Sequence, residues 1–71
     1  MSIEKYRGYV IEGFAKPLEG GMFASLGRVS KGDRAVVAES DVLEHCARYG
    51  DAQTRAIRWA QEYVDRLEDP H

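Results

Sequence analysis

Seventy-one residues carry 10 Lys and Arg against 12 Asp and Glu, for a formal net charge of −2, with 44% apolar and 31% charged side chains. That balance describes a folded chain, excludes a disordered one, and argues against general attraction to phosphate backbones. One cysteine rules out an internal disulfide, one Cys and two His do not assemble the ligand pairs of a structural zinc, and no run approaches the ~18 apolar residues of a membrane span.

A chain of about 60 residues buries only about 60% of its unfolded surface and is marginal alone. With disulfide and metal set aside, a second subunit is the remaining staple. Residues 1–71 are read as a single small domain that forms a homodimer. Met1-Ser2-Ile3-Glu4-Lys5 lacks the apolar core of a signal peptide, so a cytoplasmic location is expected, with no membrane partner.

Residues 6–15 are rich in β-branched and aromatic side chains (Tyr9, Val10, Ile11, Phe14) and predict a first strand, with Gly8 and Gly13 as bulge or close-approach positions. Lys16-Pro17 ends it, and Leu18-Glu19-Gly20-Gly21 reads as a loop whose glycines are free to take positive φ. Residues 22–29 predict a second strand, Ser30-Lys31-Gly32-Asp33 a turn, and residues 34–39 a third strand. Short glycine-bearing connections favour an antiparallel meander.

Residues 40–50 admit two readings. Ser40 or Asp41 caps a short helix, with Asp41 and Glu44 at capping-box spacing, or the stretch is an irregular connection that carries Leu43 and Cys46 under the sheet edge. Tyr49-Gly50-Asp51 breaks what precedes it, and Asp51 is the expected N-cap of a long helix over residues 51–67. At roughly 100° per residue, Ala52, Ala56, Ile57, Trp59, Ala60, Tyr63, Val64 and Leu67 share one arc of that helix. Asp51–Arg55, Arg58–Glu62 and Glu62–Arg66 stand at i,i+4 spacing on its outer side, and Asp69-Pro70 stops it.

The strand faces do not separate cleanly. Tyr6, Val10 and Phe14 share one face of the first strand against Ile3, Tyr9, Ile11 and Ala15. Phe23 and Val29 oppose Met22, Ala24 and Leu26, and Val36 and Ala38 oppose Ala35 and Val37. One helix closes one face, and an uncovered apolar face marks an interaction surface.

No chemical constellation stands out. His45-Cys46 are adjacent, so their side chains diverge and a direct thiolate–imidazole pair is awkward; Cys46 reads as a small core residue. Gly20, Gly21 and Gly27 are followed by strands and not by the helix N-terminus that a phosphate loop needs. The scattered carboxylates form no acid–base pair and no site for a hard cation. No catalytic, cofactor or metal residue is assigned. Arg55, Arg58 and Arg66 on the helix, with Arg7, Arg28 and Tyr9 on the sheet, leave room for nucleic-acid binding, although Glu62 and Asp65 interrupt the arginines.

With three strands before a helix, and Tyr49-Gly50-Asp51-Ala52-Gln53-Thr54-Arg55-Ala56-Ile57-Arg58-Trp59-Ala60-Gln61-Glu62-Tyr63-Val64-Asp65 near the end, the chain resembles a group of short bacterial proteins. These end in a similar Ala-x3-Ala-x2-Trp-Ala-x3-Val-Asp helix. The likeness runs from Tyr6 to Asp65 and implies a β-β-β-α fold with no assigned activity. A looser likeness is to the HicB-type antitoxin domain, whose acidic-glycine strand pattern is echoed by Leu18-Glu19-Gly20-Gly21-Met22-Phe23; that family implies dimers that neutralise a partner toxin. The double-stranded RNA-binding domain is similar in β-β-β-α order but begins with a helix.

The sequence thus predicts an α+β fold, a three-stranded antiparallel meander packed by one long C-terminal helix. The expected role is a non-catalytic protein-interaction or regulatory module acting as a homodimer on an unknown protein partner. The alternative is a small RNA- or DNA-binding module. The candidate interaction surface is Arg7, Tyr9, Ile11, Arg28, Arg55 and Arg58.

Overall fold

A computed structural model describes residues 2–32 and 35–69. In it the strands β1 (Ser2–Tyr6), β2 (Tyr9–Pro17), β3 (Phe23–Lys31), β4 (Ala35–Glu39) and β5 (Glu44–Cys46) precede one helix, α1 (Tyr49–Glu68). The sheet is antiparallel in the order β1-β2-β3-β4, and β5 pairs with β3 beyond the end of β4. The fold is α+β as expected, with more strands than three.

One of the two extra strands comes from a turn inside the predicted first strand, and the other is β5. Arg7 (φ 51°) and Gly8 (φ 86°) are the central residues of a two-residue hairpin loop between the paired Tyr6 and Tyr9. Positive φ at both positions is the requirement of a type I′ turn, which normally advertises itself as Asn-Gly or Asp-Gly. Arginine in a left-handed conformation is disfavoured. Here its side chain is tied to the helix, as described below. The hairpin also exchanges faces. Tyr6 shares a face with Tyr9, and Ile3 opposes Glu12, so the expected groupings of Tyr6 with Val10 and of Ile3 with Ile11 are both corrected.

β2 and β3 pair over nine residues, from Tyr9↔Lys31 to Pro17↔Phe23. Their connection is a 3₁₀ turn, Glu19–Gly21, in which Gly20 and Gly21 take positive φ and the Leu18 N–H donates to the Met22 carbonyl at 2.8 Å. The pairing of β3 with β4 contains a bulge. Val29 faces Ala38 and Ser30 faces Val36, so Val37 is the extra residue. Val36 and Ala38, expected on one face, therefore lie on opposite faces. Asp33 and Arg34, expected in the turn and at the start of this strand, lie outside the described residues, as do Pro70 and His71.

The irregular reading of residues 40–50 is the closer one. The Ser40 N–H donates to the Gly27 carbonyl at 2.8 Å, the Gly27 N–H donates to Ser40 Oγ at 2.7 Å, and the Leu43 N–H donates to the Ser25 carbonyl at 2.8 Å. These bonds to β3 replace the intrahelical bonds a short helix would make. α1 then starts at Tyr49, with Arg48 in the N-cap position and no side-chain cap. Asp51, expected to be the cap, is instead the third helical residue, where its charge complements the helix N-terminus.

α1 lies over β2 and β3. Its buried stripe is Ala52, Ala56, Ala60 and Val64, set against Ile11 and Val29, both fully buried. Burial of Ile11, Val29 and Val64 stabilises by about 1.5–3 kcal/mol each. Ser25, the one buried polar residue among the described core, donates from Oγ to the Ala52 carbonyl at 2.6 Å. The small helix residues let α1 approach the sheet closely, and the result is a two-layer slab whose Cα extents are 39 × 27 × 17 Å.

Candidate functional site

Register and alternation define the face of the sheet that α1 does not touch. Four cross-strand rows cover it: Lys5–Val10–Ser30–Val36, Ile3–Glu12–Arg28–Glu39, Phe14–Leu26, and Lys16–Ala24–His45. Ile3 is 56% and Val36 52% exposed, while Val10, Phe14 and Leu26 are partly buried beneath their long polar neighbours.

Arg28 occupies the centre. Its guanidinium carbon sits 5.1 Å from the centre of the Phe14 ring, within cation–π range. Nη1 is 3.7 Å from Glu12 Oε1, and Nε is 3.9 Å from Glu39 Oε1. Both separations exceed a hydrogen bond. Nε is shielded from solvent and has no hydrogen-bond partner. Beside it, Phe14, Leu26, Gly27, Arg28, Glu39 and Ser40 line a shallow depression of about 270 Å³, where the chain leaves β4.

A second uncovered region lies on the helix side. Trp59 stands over Gly27 of β3 and Ile57 over Gly13 of β2, so the Trp59 flank of α1 is the one nearer β4. Trp59 and Tyr63 stack with centroids 5.5 Å apart and an interplanar angle of 35°. Beyond them β4 exposes Ala35 and the bulged Val37, the latter at 37%.

The residues expected to form one interaction surface fall into four places. Tyr9 and Ile11 are 7% and 0% exposed, under α1 and in the core, so they are not part of any surface of this fold. The reason is that the helix covers their face of β2. Arg28 is on the opposite, open face. Arg55 and Arg58 lie on α1, Arg55 partly buried on the side of Cys46 and Arg58 exposed. Among the described residues none of the helix pairs expected at i,i+4 closes as an ion pair.

Arg7 instead bridges the hairpin to the end of α1. Nη1 donates to Asp65 Oδ1 at 2.9 Å and to Asp69 Oδ2 at 2.7 Å, and Nη2 donates to Asp69 Oδ1 at 3.2 Å. The Tyr6 hydroxyl donates to the same Asp65 Oδ1 at 2.9 Å. The Arg7 hydrogen bond holds the Asp69 carboxyl below its ordinary value, and the bond to Asp65 raises the Tyr6 phenol above its own. Arg7 is thus engaged in holding the fold.

His45 pairs with Ala24 and is exposed, while Cys46 pairs with Phe23 and is buried at 7%. The two side chains leave the strand on opposite faces. Burial, and then a hydrogen bond from Sγ to Glu44 Oε2 at 3.5 Å, push the Cys46 thiol up and keep it protonated. A protonated thiol is a weak nucleophile. Among the described residues no three His, Cys, Asp or Glu side chains gather as metal ligands would, and no helix is long and apolar enough to cross a membrane. No family model matches this chain, and no curated protein or solved structure matches it.

Proposed function

We propose that this chain is a small non-catalytic protein-interaction module that acts as a homodimer in the cytoplasm. The observation that supports this best is the mismatch between one helix and a sheet of four strands in the β1–β4 path. α1 covers β2 and β3 on one side, leaving the Ile3, Val10, Phe14, Leu26 and Val36 face and the β4 margin uncovered. Uncovered apolar surface on so small a fold is the usual mark of a partner. The protonated Cys46 thiol and the divergent His45 offer no nucleophile–base pair, which favours binding over catalysis.

The nucleic-acid alternative has less support. Tyr9, its expected stacking residue, is under the helix, and Arg28 stands between two carboxylates.

Light scattering between about 5 and 500 μM tests the homodimer. A mass that rises from monomer to dimer over that range is expected, since interfaces of modest area give micromolar affinities. A monomer mass throughout, with intact circular dichroism, sinks it.

A further inference from the structure

We infer that two copies of this chain pack open face to open face, about a two-fold axis that runs along the strands between β2 and β3. The inference rests on the homodimer reading and specifies its interface.

Such an axis reverses the strand order of the second copy, so β2 lies over β3 and β1 over β4, while each row keeps its height. The rows of the open face are complementary to themselves under that operation. In the row Ile3–Glu12–Arg28–Glu39, Glu12 meets Arg28 of the second copy, and Arg28 meets its Glu12. Phe14 meets Leu26, Val10 meets Ser30, and Lys16 meets Ala24. No two like charges are opposed. Lys5 and Glu39 fall at the rim on the outer strands, over Val36 and Ile3, where their stems cover apolar surface and their heads stay in water.

Arg28 is also the residue left incomplete in a single copy. Its Nη1 stands 3.7 Å from Glu12 of its own chain, and its shielded Nε has no hydrogen-bond partner. Across the seam, two Glu12 and two Arg28 side chains alternate in sign around a closed square. Charges so placed fix register and partner, and the apolar residues beside them supply the burial. An axis across the strands sets each strand over its own copy instead. β3 carries no carboxylate, so that arrangement leaves Arg28 unmatched in every register.

The dimensions fit a weak specific dimer. Packed sheets stand about 10 Å apart and cross at about 30°, which keeps the β2–β3 pairs nearest the axis opposed and shifts mainly the outer strands. Two nine-residue strands and three short ones, at roughly 3.4 Å per residue and roughly 4.8 Å between strands, present about 500 Å² per copy. The total of about 1,000 Å² stands at the lower limit of a specific interface, in keeping with a micromolar dimer. Both helices lie outermost.

The test is light scattering on charge-reversed variants, with circular dichroism to check that each is folded. Glu12→Arg and Arg28→Glu each oppose like charges across the seam, and each is expected to weaken self-association at least about tenfold. Mixed in equal amounts, the two variants restore opposite charges at both pairs, and only between unlike chains. The mixture is therefore expected to recover the dimer fraction of the parent to within about threefold. A mixture that stays monomeric while the parent dimerises overturns the two-fold arrangement. Phe14→Glu leaves Glu12 and Arg28 in place and sets a carboxylate against Leu26, so it is expected to weaken the dimer at least about tenfold. If Phe14→Glu and both charge variants dimerise as the parent does, the open face is not the seam and the homodimer stands through another surface. If the parent is monomeric throughout, both readings fail.

Discussion

Gly13 and Gly27 stand directly opposite each other on β2 and β3, beneath the middle of α1. A Cβ on Gly13 would lie 2.8 Å from the Gln53 carbonyl oxygen, and one on Gly27 would lie 2.6 Å from Trp59 Cε3. Neither glycine has positive φ, so their absent side chains serve only the approach of the helix. Gly13→Ala and Gly27→Ala are both expected to destabilise by about 1–3 kcal/mol, the ordinary cost of overpacking. Gly13→Ala is expected to cost more, because backbone cannot swing aside as the Trp59 ring can. Urea denaturation of both variants checks the magnitude and the order.

Arg7 combines an unfavourable backbone with three favourable contacts. Arg7→Gly relieves the positive φ and loses the bonds to Asp65 and Asp69, whereas Arg7→Ala loses the bonds and keeps the strain. Thermal melts are therefore expected to rank Arg7→Ala below Arg7→Gly. The reverse order would mean that the turn does not hold its left-handed conformation in solution.

The same cluster sets a pH dependence at each end of the scale. Asp69 has its folded pKa lowered from 3.8 by the hydrogen bond from Arg7, so its contribution is fully present above the ordinary value and is lost as pH falls through the lower folded value. Tyr6 has its folded pKa raised from 10.0 by the bond it donates to Asp65, so its contribution is present below 10.0 and lost as pH rises through the higher folded value. The stability gap between the parent chain and Asp69→Asn is expected to hold at neutral pH and close in acid. The gap to Tyr6→Phe is expected to hold at neutral pH and close in strong alkali. Urea midpoints measured across pH check both, and a gap independent of pH removes the assignment.

Helix α1 and the paired strands β2 and β3 were readable because their side chains repeat at periods of 3.6 and 2 over many residues. The Arg7-Gly8 turn was not, because arginine is a poor turn residue until Asp65 and Asp69 are brought to it from the far end of the chain. The bulge at Val37 and the three-residue β5 depend on hydrogen bonds to β3 that no local pattern encodes. Alternation divided Tyr9 and Ile11 from Val10 and Phe14 but did not say which pair is covered. The signal that decides it lay in the small residues: Gly13 and Gly27 share the face of Ile11 and Val29, and the alanine stripe of α1 needs such a face to approach closely.

The open face carries Lys5, Lys16 and Arg28 against Glu12 and Glu39, so its charge is close to balanced. Affinity for a phosphate backbone scales with the number of phosphates neutralised, and two carboxylates among three cations oppose it. Titration with mixed single-stranded oligonucleotides is therefore expected to show no binding with a steep salt dependence. A Glu12→Gln, Glu39→Gln variant frees Arg28 and leaves three cations on the face, and it is expected to acquire weak binding that disappears as salt is raised from about 50 to 200 mM. Steep salt-dependent binding by the parent chain would instead favour the nucleic-acid alternative. In that case Phe14→Ala should weaken it by about 1–3 kcal/mol, because Phe14 would be the ring on which a base stacks beside Arg28.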